Sequence, residues 1–260
     1  MNNWQFFMPY AYFLSTRVVT PAARLSWVLI YFVPLGLTHA VFTPAWSGEA
    51  LNQLLLAATA VYALYELGYL ENDTVTVQHE VSPTVRLSES QTAYVAENLS
   101  KIVTFRLGVG ISLILFISAA AGITWFLVGM LLLGVTFAIY NRTRGKFNAL
   151  LHPILVSLRF SLPVLVVLPE LEVLLFLLLV FPLLNSLERA AEPRYGITWL
   201  QTLWLTNQAS SRWLYYLLLM LLTVSYLPLA DQSPALLIPV CYMFIYRLAT
   251  AYIRPHKVVS

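Results

Sequence analysis

Eight stretches of this 260-residue chain, at roughly 25–46, 50–71, 102–120, 122–140, 148–168, 171–187, 213–230 and 235–253, are apolar over about the length that crosses a bilayer. A hydrocarbon core near 30 Å takes about 20 residues of helix. Lipid offers no water to backbone N–H and C=O groups, so such stretches must satisfy them internally as helices. The expected fold class is therefore an all-α integral membrane bundle. Charged residues make up 10% of the chain, against roughly 25% in a soluble domain. No stretch joins a basic start to a small-residue cleavage site, so the first span is expected to stay in the bilayer.

The few charges are arranged by side. Arg17 and Arg24 precede the first span, Arg86 and Lys101 lie between the second and third, and Arg142, Arg144 and Lys146 between the fourth and fifth. Arg189, Arg194 and Arg212 lie between the sixth and seventh, and Arg254 and Lys257 follow the eighth. The alternate loops carry Glu49, Glu170, Glu172 and Asp231 and no Lys or Arg. With eight spans every basic loop falls on one face, which the positive-inside rule makes cytoplasmic, together with both termini. The net charge of +3 thus reports topology, and no nucleic-acid partner is expected. Cys241 is the single cysteine, which excludes an intrachain disulfide or a cysteine metal site. No linker or low-complexity run divides the chain, so residues 1–260 are read as one domain.

Polar side chains concentrate in two expected motif loops, 66–101 and 185–212, one after the second span and one after the sixth, as in two four-span halves. Asn72, Thr76 and Glu80 stand four apart, on one helical face, with Asp73 beside them. Asn185, Glu188 and Glu192 repeat the pattern at three and four. Hard cations such as Mg²⁺ take carboxylate and substrate phosphate oxygens, so the two clusters predict a Mg²⁺-diphosphate site, with Asp73, Glu80, Glu188 and Glu192 as metal ligands. Glu66, an ionisable residue inside a span, is a further functional candidate by default. Segments 88–101 and 195–210 are expected to form short interfacial helices capping a cavity. His39 and His152 have no ligand-spaced partners, and His79 reads as a solvated loop residue.

The run Asn72-Asp73-x-x-Thr76-x-x-x-Glu80 resembles the first acidic motif of the UbiA superfamily of intramembrane prenyltransferases, usually N-D-x-x-D-x-x-x-D. Asn185-x-x-Glu188-x-x-x-Glu192-x-x-x-Gly196-Ile197 resembles its second, D-x-x-D-x-x-x-D-x-x-x-G-I. Tyr140 to Asn148 resembles the family's Tyr…Lys…Asn stretch, with Lys146 and Asn148. Thr76 and Asn185 replace Asp, and Glu80, Glu188 and Glu192 stand where Asp is usual. The resemblance implies a bundle of about eight to nine transmembrane helices in two pseudo-repeated halves around a cytoplasmic-facing cavity. It also implies a Mg²⁺-dependent transferase that releases diphosphate.

Typical members move a prenyl group from a polyprenyl diphosphate to an aromatic acceptor. A divergent branch, the decaprenyl-phosphate phosphoribosyltransferases, moves phosphoribose from phosphoribosyl diphosphate to a polyprenyl phosphate for cell-envelope glycan synthesis. Extra phosphates call for arginine, which grips them bidentately. Arg159, inside the fifth span, resembles an arginine of that branch, as do the Arg189-x-x-Glu192 element and the stretch from Glu80 to Arg86. The expected phosphate contacts are Arg159, Arg86, Arg189, Arg194 and Lys146, with Asn72, Thr76, Asn148 and Asn185 as further substrate-binding residues. Arg142, Arg144 and Arg212 are read as topology residues. Tyr62, Tyr65 and Tyr69 near the first motif suit either a cation–π role or the interfacial belt. Phosphoribosyl transfer in a bacterial inner membrane is the leading reading. An aromatic prenyltransferase and an inactive lipid-binding relative are the alternatives.

Overall fold

A computed structural model describes residues 3–43, 47–79, 84–118, 120–143, 147–205 and 207–253. Those residues are mostly helical, without a strand. After a 3-10 turn at Asn3–Phe6 come α1 (Ala11–Thr16), α2 (Pro21–Phe42), α3 (Gly48–Thr74), α4 (Glu89–Phe116), α5 (Ile123–Arg142) and α6 (Asn148–Leu165). Then follow α7 (Leu171–Val180), α8 (Pro182–Ala190), α9 (Thr198–Leu205), α10 (Gln208–Leu229) and α11 (Leu237–Ile253). Among them, seven helices are long and apolar enough to cross a membrane, and α7 with α8, bent by 45°, makes an eighth span if counted as one.

Local chemistry sets the helix ends. Thr20 caps α2 through the Ala23 N–H, with Pro21 in the first turn where its missing N–H costs nothing. Ser88 and Gln91 close a reciprocal capping box on α4. Between α7 and α8, Pro182 lacks the N–H to continue the ladder, and the chain turns at Phe181. The 27 residues of α3 span about 40 Å at 1.5 Å each, more than the hydrocarbon layer. Its last turn, with Asn72 and Asp73, therefore reaches the polar interface.

Helix α3 packs against α4, α5 and α6, while α6 also touches α2, α7 and α8, and α10 pairs with α11, which leans on α2. One apolar core joins Tyr31, Leu35, Tyr62, Phe160, Leu177, Phe181, Tyr216 and Met243; a second joins Val61, Tyr65, Met130, Leu133, Phe137 and Leu162. The close approach of α5 to α3 depends on Gly68, where a Cβ would collide with the Phe137 ring. A third core packs Phe6 and Tyr12 against Leu70, Val95 and Ile102, so the N-terminal segment is folded onto α3 and α4.

Two expectations change. The stretch 88–101 is not a separate interfacial helix: it is the start of the continuous 28-residue α4. The second motif is not a loop either, because Asn185 and Glu188 ride on α8, the second half of the bent pair. In the stretch 195–210, α9 is a short helix, as expected.

Candidate functional site

Asp73 is enclosed, and five donors converge on its carboxylate. Tyr12 donates its hydroxyl to Oδ2 at 2.6 Å, Arg17 donates Nη1 and Nη2 at 2.8 and 3.0 Å, and Arg86 and Asn72 donate to Oδ1 at 3.2 and 3.3 Å. Burial and the neighbouring Asp73 push the Tyr12 phenol well above its ordinary range, which keeps it a donor. Arg17 also lies 4.5 Å over the Tyr69 ring.

Glu66, the ionisable residue inside the second span, is paired within the bundle. Its Oε2 accepts Arg106 Nη1 at 2.6 Å, with both side chains fully enclosed, and its Oε1 accepts the Phe13 N–H at 2.6 Å. Arg106 further donates to the carbonyls of Phe6 and Met8. A charge pair inside the bundle thus fastens the N-terminal segment to α3 and α4.

The second motif pairs in the same way. Arg212 of α10 forks onto Glu188 at 2.6 and 3.0 Å, so Arg212 holds α8 to α10 and is more than a topology residue. Glu192 takes Arg189 at 2.5 Å and Arg194 at 2.8 Å, and Arg189 reaches the Tyr140 hydroxyl at 3.1 Å. Asn185 Oδ1 lies 3.0 Å from His152 Nε2, so His152 has a partner that its spacing did not reveal. Gly196 of the motif-like run has φ 69°, a left-handed turn that suits glycine.

These elements enclose a polar cavity of about 320 Å³ at one end of the bundle, where α3, α5 and α8 end and α4 and α6 begin. Arg17, Arg86, Arg189 and Arg194 line it, with Asn72, Asn148, His152, Tyr65, Tyr69 and Tyr140. Residues of both motif regions, Asn72 from the first and Arg189 and Arg194 from the second, thus line one cavity. Asn148 donates to the carbonyls of Tyr140 and Thr143, which ties the start of α6 to the end of α5. Thr76 is buried, with its hydroxyl on the Asn141 carbonyl, and does not line the cavity.

Arg159 and Asn185 line a neighbouring cavity of about 460 Å³ together with Val18, Ala23, Trp27 and Ile30. The Arg159 guanidinium lies 4.8 Å over Tyr65 and donates to the Tyr69 hydroxyl, and its enclosed Nε has no partner. Among the described residues it has no carboxylate partner. Glu80 and Lys146 lie outside the described residues.

As they stand, the described motif carboxylates are paired with arginines. Asp73, Glu188 and Glu192 each spend their oxygens on arginines, and among the described residues no three His, Cys, Asp or Glu side chains gather as metal ligands. The donor set suits an anion instead, since guanidinium groups bind phosphate oxygens bidentately. Sequence reasoning missed the roles of Arg17 and Tyr12 here. The one available signal for the N-terminal anchor was a pair of opposite charges, Glu66 and Arg106, each inside an apolar span. Family models, curated proteins and solved structures were all compared with the chain, and none matches.

Proposed function

We propose that the chain is a membrane transferase whose arginine-lined cavity binds a phosphate-rich donor, with phosphoribosyl diphosphate as the leading candidate and a polyprenyl phosphate as acceptor. The observation that carries this reading is the convergence of Arg17, Arg86, Arg189 and Arg194 on one polar cavity with Asp73 and Glu192 as the paired carboxylates. Its volume lies at the low end of the 300–1,000 Å³ usual for ligand sites. In the reaction, an acceptor phosphate oxygen attacks C1 of the ribose, the C1–O bond to diphosphate breaks, and diphosphate leaves among the arginines. Fixed guanidinium groups aimed at the leaving group would stabilise the charge it gains.

Arg159 would meet the acceptor phosphate in the adjoining cavity, where apolar Val18, Ala23 and Ile30 suit the first isoprene units. The basic face would be cytoplasmic by the positive-inside rule, in a bacterial inner membrane, with the two motif regions as counterparts in pseudo-repeated halves. Mg²⁺ enters this proposal as the counter-ion of the diphosphate. Arg17, Arg86, Arg189 and Arg194, which line the cavity, carry the charge stabilisation derived above.

Thermal unfolding of the purified protein with phosphoribosyl diphosphate tests the reading. Saturable stabilisation that needs about tenfold more ligand in Arg86→Ala and Arg189→Ala is expected; no stabilisation of the wild type would sink it. A specific observation favours one further reading, an inactive relative that only binds lipid phosphate: every described motif carboxylate is neutralised by an arginine. Stabilisation by polyprenyl phosphate without turnover on any diphosphate donor would establish that reading.

A further inference from the structure

The N-terminal segment is tied to the bundle by charges that solvent cannot replace. Arg106 holds the carbonyls of Phe6 and Met8, and Glu66 holds the Phe13 N–H, all from inside the helix pair α3 and α4. One helical turn beyond Phe13 stands Arg17, whose fork on Asp73 and stacking on Tyr69 leave little freedom. Arg17 lines the cavity. Of its five N–H donors, Asp73 takes two, so three are left for something else. Arg86 sits on the same carboxylate oxygen as Arg17 Nη2, at 3.2 Å. Four guanidinium groups therefore face one cavity, with two carboxylates bonded to them, and the positive excess matches the charge of a phosphate-class anion.

We propose that Arg17 is a ligand-binding residue of this cavity, delivered by a fixed N-terminal strap, and that Asp73 is a positioning residue that sets Arg17 and Arg86 side by side for a phosphate or diphosphate group. The inference rests on the cavity being a phosphate site. Asp73 then acts through the two arginines and not as a ligand to a metal. It also makes the segment before the first span part of the binding machinery, where the charge pattern assigned Arg17 to topology.

The test uses the full chain in detergent, with inorganic pyrophosphate as the probe and calorimetry as the readout. Arg17→Ala is expected to weaken binding by about tenfold or more, Arg17→Lys to fall between it and the wild type, and Lys101→Ala, an equal charge change on exposed α4, to bind as the wild type. Asp73→Asn is expected to weaken binding with an unchanged dependence on Mg²⁺ concentration. A second arm needs no variant: phenylglyoxal modification of the wild type, mapped by mass, is expected to slow at Arg17 and not at Arg24 when pyrophosphate is present. Wild-type affinity in Arg17→Ala, or equal labelling of Arg17 with and without pyrophosphate, overturns the role of Arg17. Recovery of Asp73→Asn by added Mg²⁺ overturns the positioning role. If the wild type itself fails to bind pyrophosphate, the cavity reading falls first and this inference with it.

Discussion

Glu66 of α3 and Arg106 of α4 face each other at 2.6 Å with neither side chain reaching the surface. Removing one partner leaves a charge in the bundle core, which costs about 3–5 kcal/mol, whereas replacing both by apolar groups is often nearly neutral. Arg106→Met is therefore expected to lower stability by about that amount, and Glu66→Leu with Arg106→Met to recover most of it. Chemical unfolding in micelles checks this. A double variant no better than the single one would mean that the backbone bonds to Phe6, Met8 and Phe13 dominate the anchor.

Arg159 predicts the opposite sign. It is a cation deep in the bundle with no carboxylate partner among the described residues and an unpartnered Nε. If that cost is kept for an anionic acceptor, Arg159→Met should raise the midpoint of thermal unfolding, by about 1 kcal/mol or more in stability, while abolishing transfer to polyprenyl phosphate. Full transfer in this variant would remove Arg159 from the site.

Glu188 and Arg212 join α8 to α10 by a fork that is partly open to solvent. Pairs of that kind contribute about 0.2–1 kcal/mol. Glu188→Gln is expected to lose stability on that scale and to keep its Mg²⁺ dependence and pyrophosphate affinity, as measured by calorimetry. A shifted Mg²⁺ requirement would return Glu188 to the metal-ligand role its motif position implied.

Tyr12 supplies a pH prediction. Its folded-state pKa is raised by burial and by Asp73, so the unfolded chain releases this proton first, near pH 10. Above that value the unfolded state binds fewer protons than the folded one, and stability falls as pH rises; below it the contribution is complete. Tyr12→Phe should cost about 1.5–3 kcal/mol at neutral pH, the range for a hydrogen bond to a charged group, and should flatten the alkaline decline. Unfolding midpoints between neutral pH and the alkaline limit would show whether the slope changes.

Gly68→Leu should separate α3 from α5 by driving a side chain into the Phe137 ring. Overpacking of this kind costs about 1–3 kcal/mol, and Phe137→Ala in the same chain should relieve part of it. Equal stability of the single and double variants would place the close contact elsewhere.

Most of the apolar stretches coincide with helices to within a few residues, but the third span begins at Glu89 and not at 102, and the sixth is broken at Pro182. Asn72, Arg86, Asn148, Arg189 and Arg194, singled out from the sequence as substrate-binding candidates, line one cavity. Who pairs with whom was not legible. Arg17 meets Asp73 across 56 residues, Arg106 meets Glu66 across 40 and Arg212 meets Glu188 across 24. Spacing within one helix identifies shared faces, but says nothing about a guanidinium arriving from another helix. Those arrivals pair the described carboxylates of the two predicted clusters with arginines, and they show why Arg17, which looked like a topology charge, ends up in the cavity wall.

The most direct measurement is diphosphate release by the purified protein in Mg²⁺, comparing phosphoribosyl diphosphate plus polyprenyl phosphate with prenyl diphosphate plus a hydroxybenzoate. Release in the first mixture alone, lost in Arg86→Ala, is the predicted result. Release in the second alone would make this an aromatic prenyltransferase and contradict the phosphoribosyl reading, and release in neither would contradict a transferase altogether.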